Sequence, residues 1–201
     1  MIKTKKDLLF YIKADRIMNG YSDKIHIKER LLSLLLPRPI DYLESMRKYA
    51  YYKHKNKILK CFWGFRYGIL GTKFSFSIGC NVFGYGLVIP HYGTIVVNNN
   101  VRIGNFAVLH TGTCIAGGDK IIGDGLYLST GSQIVGKVRL GDNVSICAHS
   151  LVNNNFDNNI LIAGSPAVIK KNNYPSWYCR DGETFVNRVN LVNKLKKQYD
   201  E

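Results

Sequence analysis

Along the middle of the chain an aliphatic side chain returns every sixth residue. From Ile89 the series runs through Ile95, Ile103, Leu109, Ile115, Ile122, Leu128, Ile134, Leu140, Ile146 and Val152. One step is eight residues (95 to 103) and one is seven (115 to 122). Such a metre fits neither a helix of about 3.6 residues per turn nor the two-residue alternation of a strand. It fits a short strand and a corner, repeated, so that three units close one triangular coil of about eighteen residues. The fourth position after the aliphatic is often small or β-branched, as at Ala107, Thr113, Ser132, Val138, Val144 and Ser150. Glycine and asparagine supply tight corners at "NNN" (98–100) and "GDN" (141–143). The two longer steps predict small loops pushed out at corners.

The flanks follow another period. Residues 4–60 carry helical spacings, such as Leu8, Leu9 and Ile12, then Leu31, Leu32, Leu35 and Leu36, and "PRP" (37–39) breaks one helix from the next. Residues 182–199 place Phe185, Val189, Val192 and Leu195 on one helical face, with lysines near the end. The expected architecture is mainly β: a helical N-terminal segment (1–70), a parallel β-solenoid (71–171), and a C-terminal extension with a helix (172–201).

Charge separates the same regions. Residues 1–75 hold 17 Lys/Arg against 6 Asp/Glu, residues 76–160 hold 4 of each, and residues 161–201 hold 7 against 4. The net charge of +14 therefore belongs mostly to the first third. A hydrophobic content of 46% argues against disorder. The longest apolar run, Leu31 to Pro37, is far too short for a membrane span. Asp7 and Asp15 interrupt what a signal peptide would keep apolar, which predicts a cytoplasmic protein. Five cysteines (61, 80, 114, 147 and 179), without a CxxC pair, fit buried thiols rather than disulfides or a zinc site.

The register also orders the candidate chemistry. Ile89, Leu109, Leu128 and Ile146 form one inward column, at about 4.8 Å per coil. His91 then lies two residues past an inward aliphatic, beneath Thr111, Thr130 and Ala148. His110 lies one coil up, above Pro90, and Gly112 and Gly131 stack on the same edge. An edge of small side chains leaves backbone N–H and C=O groups within reach of a narrow, extended ligand carrying amides. A histidine at its foot would meet the end of that ligand. Histidine suits proton transfer because its ordinary pKa, near 6.5, keeps a neutral imidazole available at neutral pH.

Two stretches add a resemblance. "GYGLVIPHYGTIVV" (84–97) resembles the segment around the catalytic histidine of bacterial serine acetyltransferases and of related sugar and polysaccharide O-acetyltransferases. "AGSPAVIKK" (163–171) resembles the A-G-x-P-A-[RK] ending of those hexapeptide-repeat enzymes, and the likeness spans roughly residues 76–171. It implies a left-handed parallel β-helix, acetyl-CoA as donor without a metal, and a homotrimer with the coenzyme groove between subunits. His91 takes the place of the catalytic base, with His110 as a second candidate. Gly112, Gly117, Thr130, Gly131, Ala148, Pro166, Lys170 and Lys171 are the candidate coenzyme contacts.

Departures from serine acetyltransferases bear on the acceptor. Pro90 stands where those enzymes carry an aspartate, and their Arg-His loop has shrunk to "AGGDKI" (116–121). Amino-acid recognition needs a carboxylate and a cation together. The expected acceptor is therefore a hydroxyl of a sugar or polysaccharide, with serine O-acetylation and a non-catalytic binding solenoid as alternatives. The basic run Arg47, Lys48, Lys53, Lys55, Lys57 and Lys60, mixed with Tyr49, Tyr51, Tyr52, Phe62 and Trp63, is a candidate face for an anionic membrane or a lipid-linked glycan. Charge alone gives no case for nucleic acid. Three histidines spread along one column, His91, His110 and His149, do not recommend a metal-dependent hydratase.

Overall fold

The computed structural model describes residues 2–24 and 26–200. Four helices open the chain: α1 (Lys5–Met18), α2 (Ile27–Leu35), α3 (Pro39–Tyr52) and α4 (Lys57–Phe74). Thr4 and Asp7 form a capping box at the start of α1, and Pro39 opens α3 where its missing N–H costs nothing. The next strands are β1 (Phe76–Ile78), β2 (Ile95–Val97), β3 (Val101–Ile103), β4 (Val108–Leu109), β5 (Thr113–Ala116), β6 (Lys120–Ile122) and β7 (Tyr127–Leu128). They continue with β8 (Gln133–Val135), β9 (Arg139–Leu140), β10 (Ser145–Ile146), β11 (Leu151–Val152), β12 (Leu161–Gly164) and β13 (Ala167–Lys171). A short α5 (Trp177–Arg180) and a long α6 (Glu183–Asp200) follow.

The strands wind into three parallel faces. One has the order β1-β2-β5-β8-β11, the second β4-β7-β10-β12 with β13 added antiparallel, and the third β3-β6-β9. Inside, Leu109, Leu128, Ile146 and Ile162 stack in one column, and Val97, Ile115, Ile134 and Val152 in another. All are buried. Each such side chain contributes about 1.5–3 kcal/mol when fully withdrawn from water, but only because the coils above and below cover it.

The glycines of "IGN", "IGD" and "LGD" have a steric cause. A Cβ on Gly104 would stand 2.0 Å from Asp124 Oδ1, one on Gly123 2.1 Å from Asp142 Oδ1, and one on Gly141 2.1 Å from Asn158 Oδ1. Those oxygens accept hydrogen bonds from the neighbouring coil: Asn105 N donates to Asp124, Asp124 N to Asp142 and Asp142 N to Asn158. A ladder of Asx side chains thus ties one corner along the solenoid's length.

One expectation about register is corrected. Val97, not Ile95, pairs with Ile115, and Ile95 pairs with Thr113. Ile95 thus fills the slot that small side chains occupy higher up. The two extra residues therefore fall before β2, in the 90–94 segment that carries His91. The seven-residue step does open a corner loop, at Gly117–Asp119, between β5 and β6.

The helices clamp the first coil. Arg47 of α3 and Asp15 of α1 form a buried ion pair (Nε–Oδ2 2.8 Å), and Arg47 also donates to the carbonyls of Phe83 (2.8 Å) and Gly84 (2.6 Å). Asp15 accepts from Leu87 N, while Asn19 donates to Leu87 O and accepts from Ile89 N. The segment that leads into His91 is thereby fixed from outside the solenoid. At the other end Trp177 is buried and donates its indole N–H to Phe106 O at 2.7 Å. Val189 and Val192 of α6 join Phe10, Ala14 and Met18 of α1 in a second core against Val88 and Val108. The five cysteines are unpaired, and Cys61 and Cys179 are exposed, contrary to the burial expected of them.

Candidate active site

Pro90 ends the inward run after Ile89, and the longer corner turns His91 outward, where it is solvent-exposed. One coil up, His110 leaves β4 half-buried, its ring 5.0 Å from that of Tyr127. Burial lowers the His110 pKa below the ordinary 6.5, and any charge on the nearby His91 lowers it further. The two imidazoles are near enough for that charge to be felt, but His91 does not lie beneath Thr111 as the sequence register placed it. The two extra residues put Gly93 there, where a Cβ would stand 2.2 Å from Thr111 Cγ2.

Along that edge Thr111 is half-buried, Gly112, Thr130 and Ala148 are exposed, and Gly131 is half-buried. Gly112 and Gly131 both hold positive φ (76° and 70°), and a Cβ on Gly112 would lie 3.4 Å from Gly131 Cα. A bare strip of backbone results, with the size and polarity for a narrow chain bearing amides. His149 lies at its upper end, its Nδ1 only 2.5 Å from where a Gly131 Cβ would project. That imidazole forms part of the strip's wall.

Other predicted contacts lie apart. Gly117 follows β5, so it stands at the opposite corner of that face from Gly112, which precedes the strand. Pro166 occupies the turn between β12 and β13, after a cis peptide bond, and Lys170 and Lys171 are exposed on β13. From the Val88 bridge through β4, β7, β10 and β12 to β13, the distance is roughly 24 Å at the usual strand spacing. The lysines can meet only the far end of an extended ligand whose reactive end is at His91. Among the described residues no group of three or more His, Cys, Asp or Glu side chains converges as a metal site would require.

Three residues that spacing did not single out stand near His110. Arg180, at the end of α5, lies over the Tyr127 ring at 4.4 Å and binds Asp181 through Nε at 2.6 Å. Burial opposes the Arg180 charge, but hydrogen bonds to Asp181 and Tyr174 outweigh it and raise the pKa. Burial, reinforced by Asp181, raises the Tyr127 hydroxyl above its ordinary value. Both charges of the Arg180–Asp181 pair are felt at His110. They arrive from a segment with no periodic signal, more than sixty residues along the chain, so only the fold brings them here. Lys120 answers a different need. Its side chain is buried, and its ammonium donates to Ala116 O (2.7 Å) and to the carbonyls of Gly117 and Gly136. It closes the corner loop and faces no groove.

No protein-family model and no curated protein matches the chain. Solved structures do. The serine acetyltransferase of Neisseria gonorrhoeae, in complex with serine, is 24% identical over 83% of this chain and 70% of its own, with a TM-score of 0.63. That of Brucella abortus strain S19 is 21% identical over 82% of this chain and 68% of its own, with a TM-score of 0.58. A serine acetyltransferase in complex with coenzyme A is 22% identical over 81% and 67%, with a TM-score of 0.59. At such identities the likeness is one of architecture: this chain has the left-handed hexapeptide-repeat β-helix, with flanking helices, on which serine acetyltransferases are built.

Proposed function

We propose that the protein is an acetyl-CoA-dependent O-acetyltransferase with His91 as its general base. The observation that carries the reading is an exposed imidazole at the foot of an edge bared by Gly112, Thr130, Gly131 and Ala148. The solved relatives bound to coenzyme A support the same donor. Bound along that edge, acetyl-CoA supplies an activated acetyl carbonyl. An alcohol is a weak nucleophile at neutral pH, so His91 takes the acceptor's hydroxyl proton as the oxygen attacks the thioester carbonyl. The C–S bond then breaks, coenzyme A leaves as the thiolate, and the proton held by His91 is given up to it. Low pKa keeps His110 neutral beside it, so no second positive charge opposes that transfer. Lys170 and Lys171 offer cations for phosphates at the far end of the donor. A homotrimer would close the groove with a neighbouring subunit. A cytoplasmic setting suits five unpaired cysteines.

Two acceptor classes have support. Serine is favoured by the likeness to an enzyme solved with serine. A sugar hydroxyl is favoured by Pro90 before the base and by a corner loop whose one cation, Lys120, is spent on carbonyls. Coenzyme A release from acetyl-CoA, followed with L-serine and with a panel of mono- and oligosaccharides, separates them. Turnover with either class supports acetyl transfer. Failure to bind coenzyme A by calorimetry, with no turnover on any acceptor, would leave the non-catalytic solenoid.

A further inference from the structure

The helical segment carries an apolar face that is exposed among the described residues. On α2, Ile27, Leu31, Leu34 and Leu35 follow the three- and four-residue spacing of one helical face, and all are exposed, Leu35 by 79%. On α4, Ile58, Phe62, Phe65 and Ile69 do the same, with Ile58 exposed by 81% and Phe65 by 73%. The two rows adjoin where Leu31, Leu34 and Phe62 line one cleft of about 270 Å³, which the paired acids Glu29, Asp41 and Glu44 also line. Isolated apolar side chains on a surface mean little, but two adjoining rows mark a contact surface.

The charges around the rows select the partner. Lys28, Arg30, Lys57, Lys60 and Lys73 on the same helices are exposed. Glu29 is the acid of α2, and it is neutralised by Arg16 (2.9 Å) and Arg38 (3.0 Å). Helix α4 has no acidic residue, and none occurs anywhere between Glu44 and Asp119. A second copy docked on this face by a two-fold axis would set lysines against lysines. Nucleic acid would leave the leucine rows in water. An anionic bilayer surface takes both features, apolar rows into the acyl boundary and lysines to the headgroups.

We propose that α2 and α4 form a docking face for anionic membrane surfaces, on which the protein lies without crossing. No helix among the described residues is long and apolar enough to span a bilayer. The face differs from the basic run read along the sequence, because Arg47 is buried in its pair with Asp15 and only part of that run reaches the surface. The proposal does not depend on the acetyl-transfer reading.

Co-sedimentation with vesicles tests it, using phosphatidylcholine alone and phosphatidylcholine mixed with phosphatidylglycerol, at low and high salt. The protein should partition onto the mixed vesicles at least about tenfold more strongly than onto phosphatidylcholine, and lose most of that advantage in high salt. Leu35→Ser with Phe65→Ser, and separately Lys57→Glu with Lys60→Glu, should each reduce partitioning by a similar factor. These side chains are exposed, and circular dichroism confirms that each variant keeps its helices. Should the serine pair disturb folding, the charge pair carries the test. Absence of partitioning onto either vesicle would overturn the proposal. So would a doubled mass in solution that the serine pair abolishes while vesicles remain unbound, since a second copy would then cover the face.

Discussion

His91 and His110 come near one another because Val88 pairs with Val108, and each histidine follows that pair within three residues. Their proximity has a measurable sign. A proton on His91 repels one on His110, and burial already disfavours the charged His110 ring. The NMR titration of His110 should therefore fall below the ordinary 6.5, and His91→Asn should move it upward. A lowered pKa releases the proton in more acidic solution, so the neutral form of His110 is favoured further toward acid than that of an ordinary imidazole. The proposed coenzyme edge can be tested at Gly112 on the same scale. At φ 76° an alanine would be strained by about 1–2 kcal/mol, and its methyl would intrude on the bare strip beside Gly131. Gly112→Ala should weaken coenzyme A binding in calorimetry; unchanged affinity would move the donor to another edge.

At the scale of elements, the outer helices act as a splint for the first coil. The Asp15–Arg47 pair is almost wholly buried and is bonded to Phe83, Gly84 and Leu87. Removing one partner leaves the other charge stranded, so Arg47→Ala should cost about 3–5 kcal/mol in chemical denaturation. Replacing both with apolar side chains, Asp15→Leu with Arg47→Met, should recover much of that loss. Equal losses in single and double variants would mean that the backbone bonds, rather than the charge pair, hold the splint. The solenoid's period was legible in the sequence because every coil repeats the same demand on its inward position. The start of β2 was not, because Ile95 satisfies the aliphatic pattern while sitting in a slot that Thr113 and Ser132 fill above it. Two aliphatics two residues apart, Ile95 and Val97, both point inward, and only pairing decides which continues the column.

For the whole molecule, the site draws on every part of the chain. Helix α1 fixes the segment before His91, the solenoid supplies the edge, and the end of α5 brings Arg180 and Asp181 near it. The first two contributions follow repeat and helical periodicities. The third depends on Trp177 burying itself against Phe106, a contact between positions with no shared pattern. Light scattering should report the mass of three 22.8-kDa chains, as a groove closed between subunits requires; a monomer that turns over acetyl-CoA would place the whole groove within one chain. The central claim, that this edge transfers an acetyl group, is tested most directly by coenzyme A release with the best acceptor, comparing wild type with His91→Ala. Because His91 is exposed, the variant should fold and bind coenzyme A unchanged, while its turnover falls by about 10²–10⁴-fold. Turnover equal to wild type in the folded variant would contradict the account.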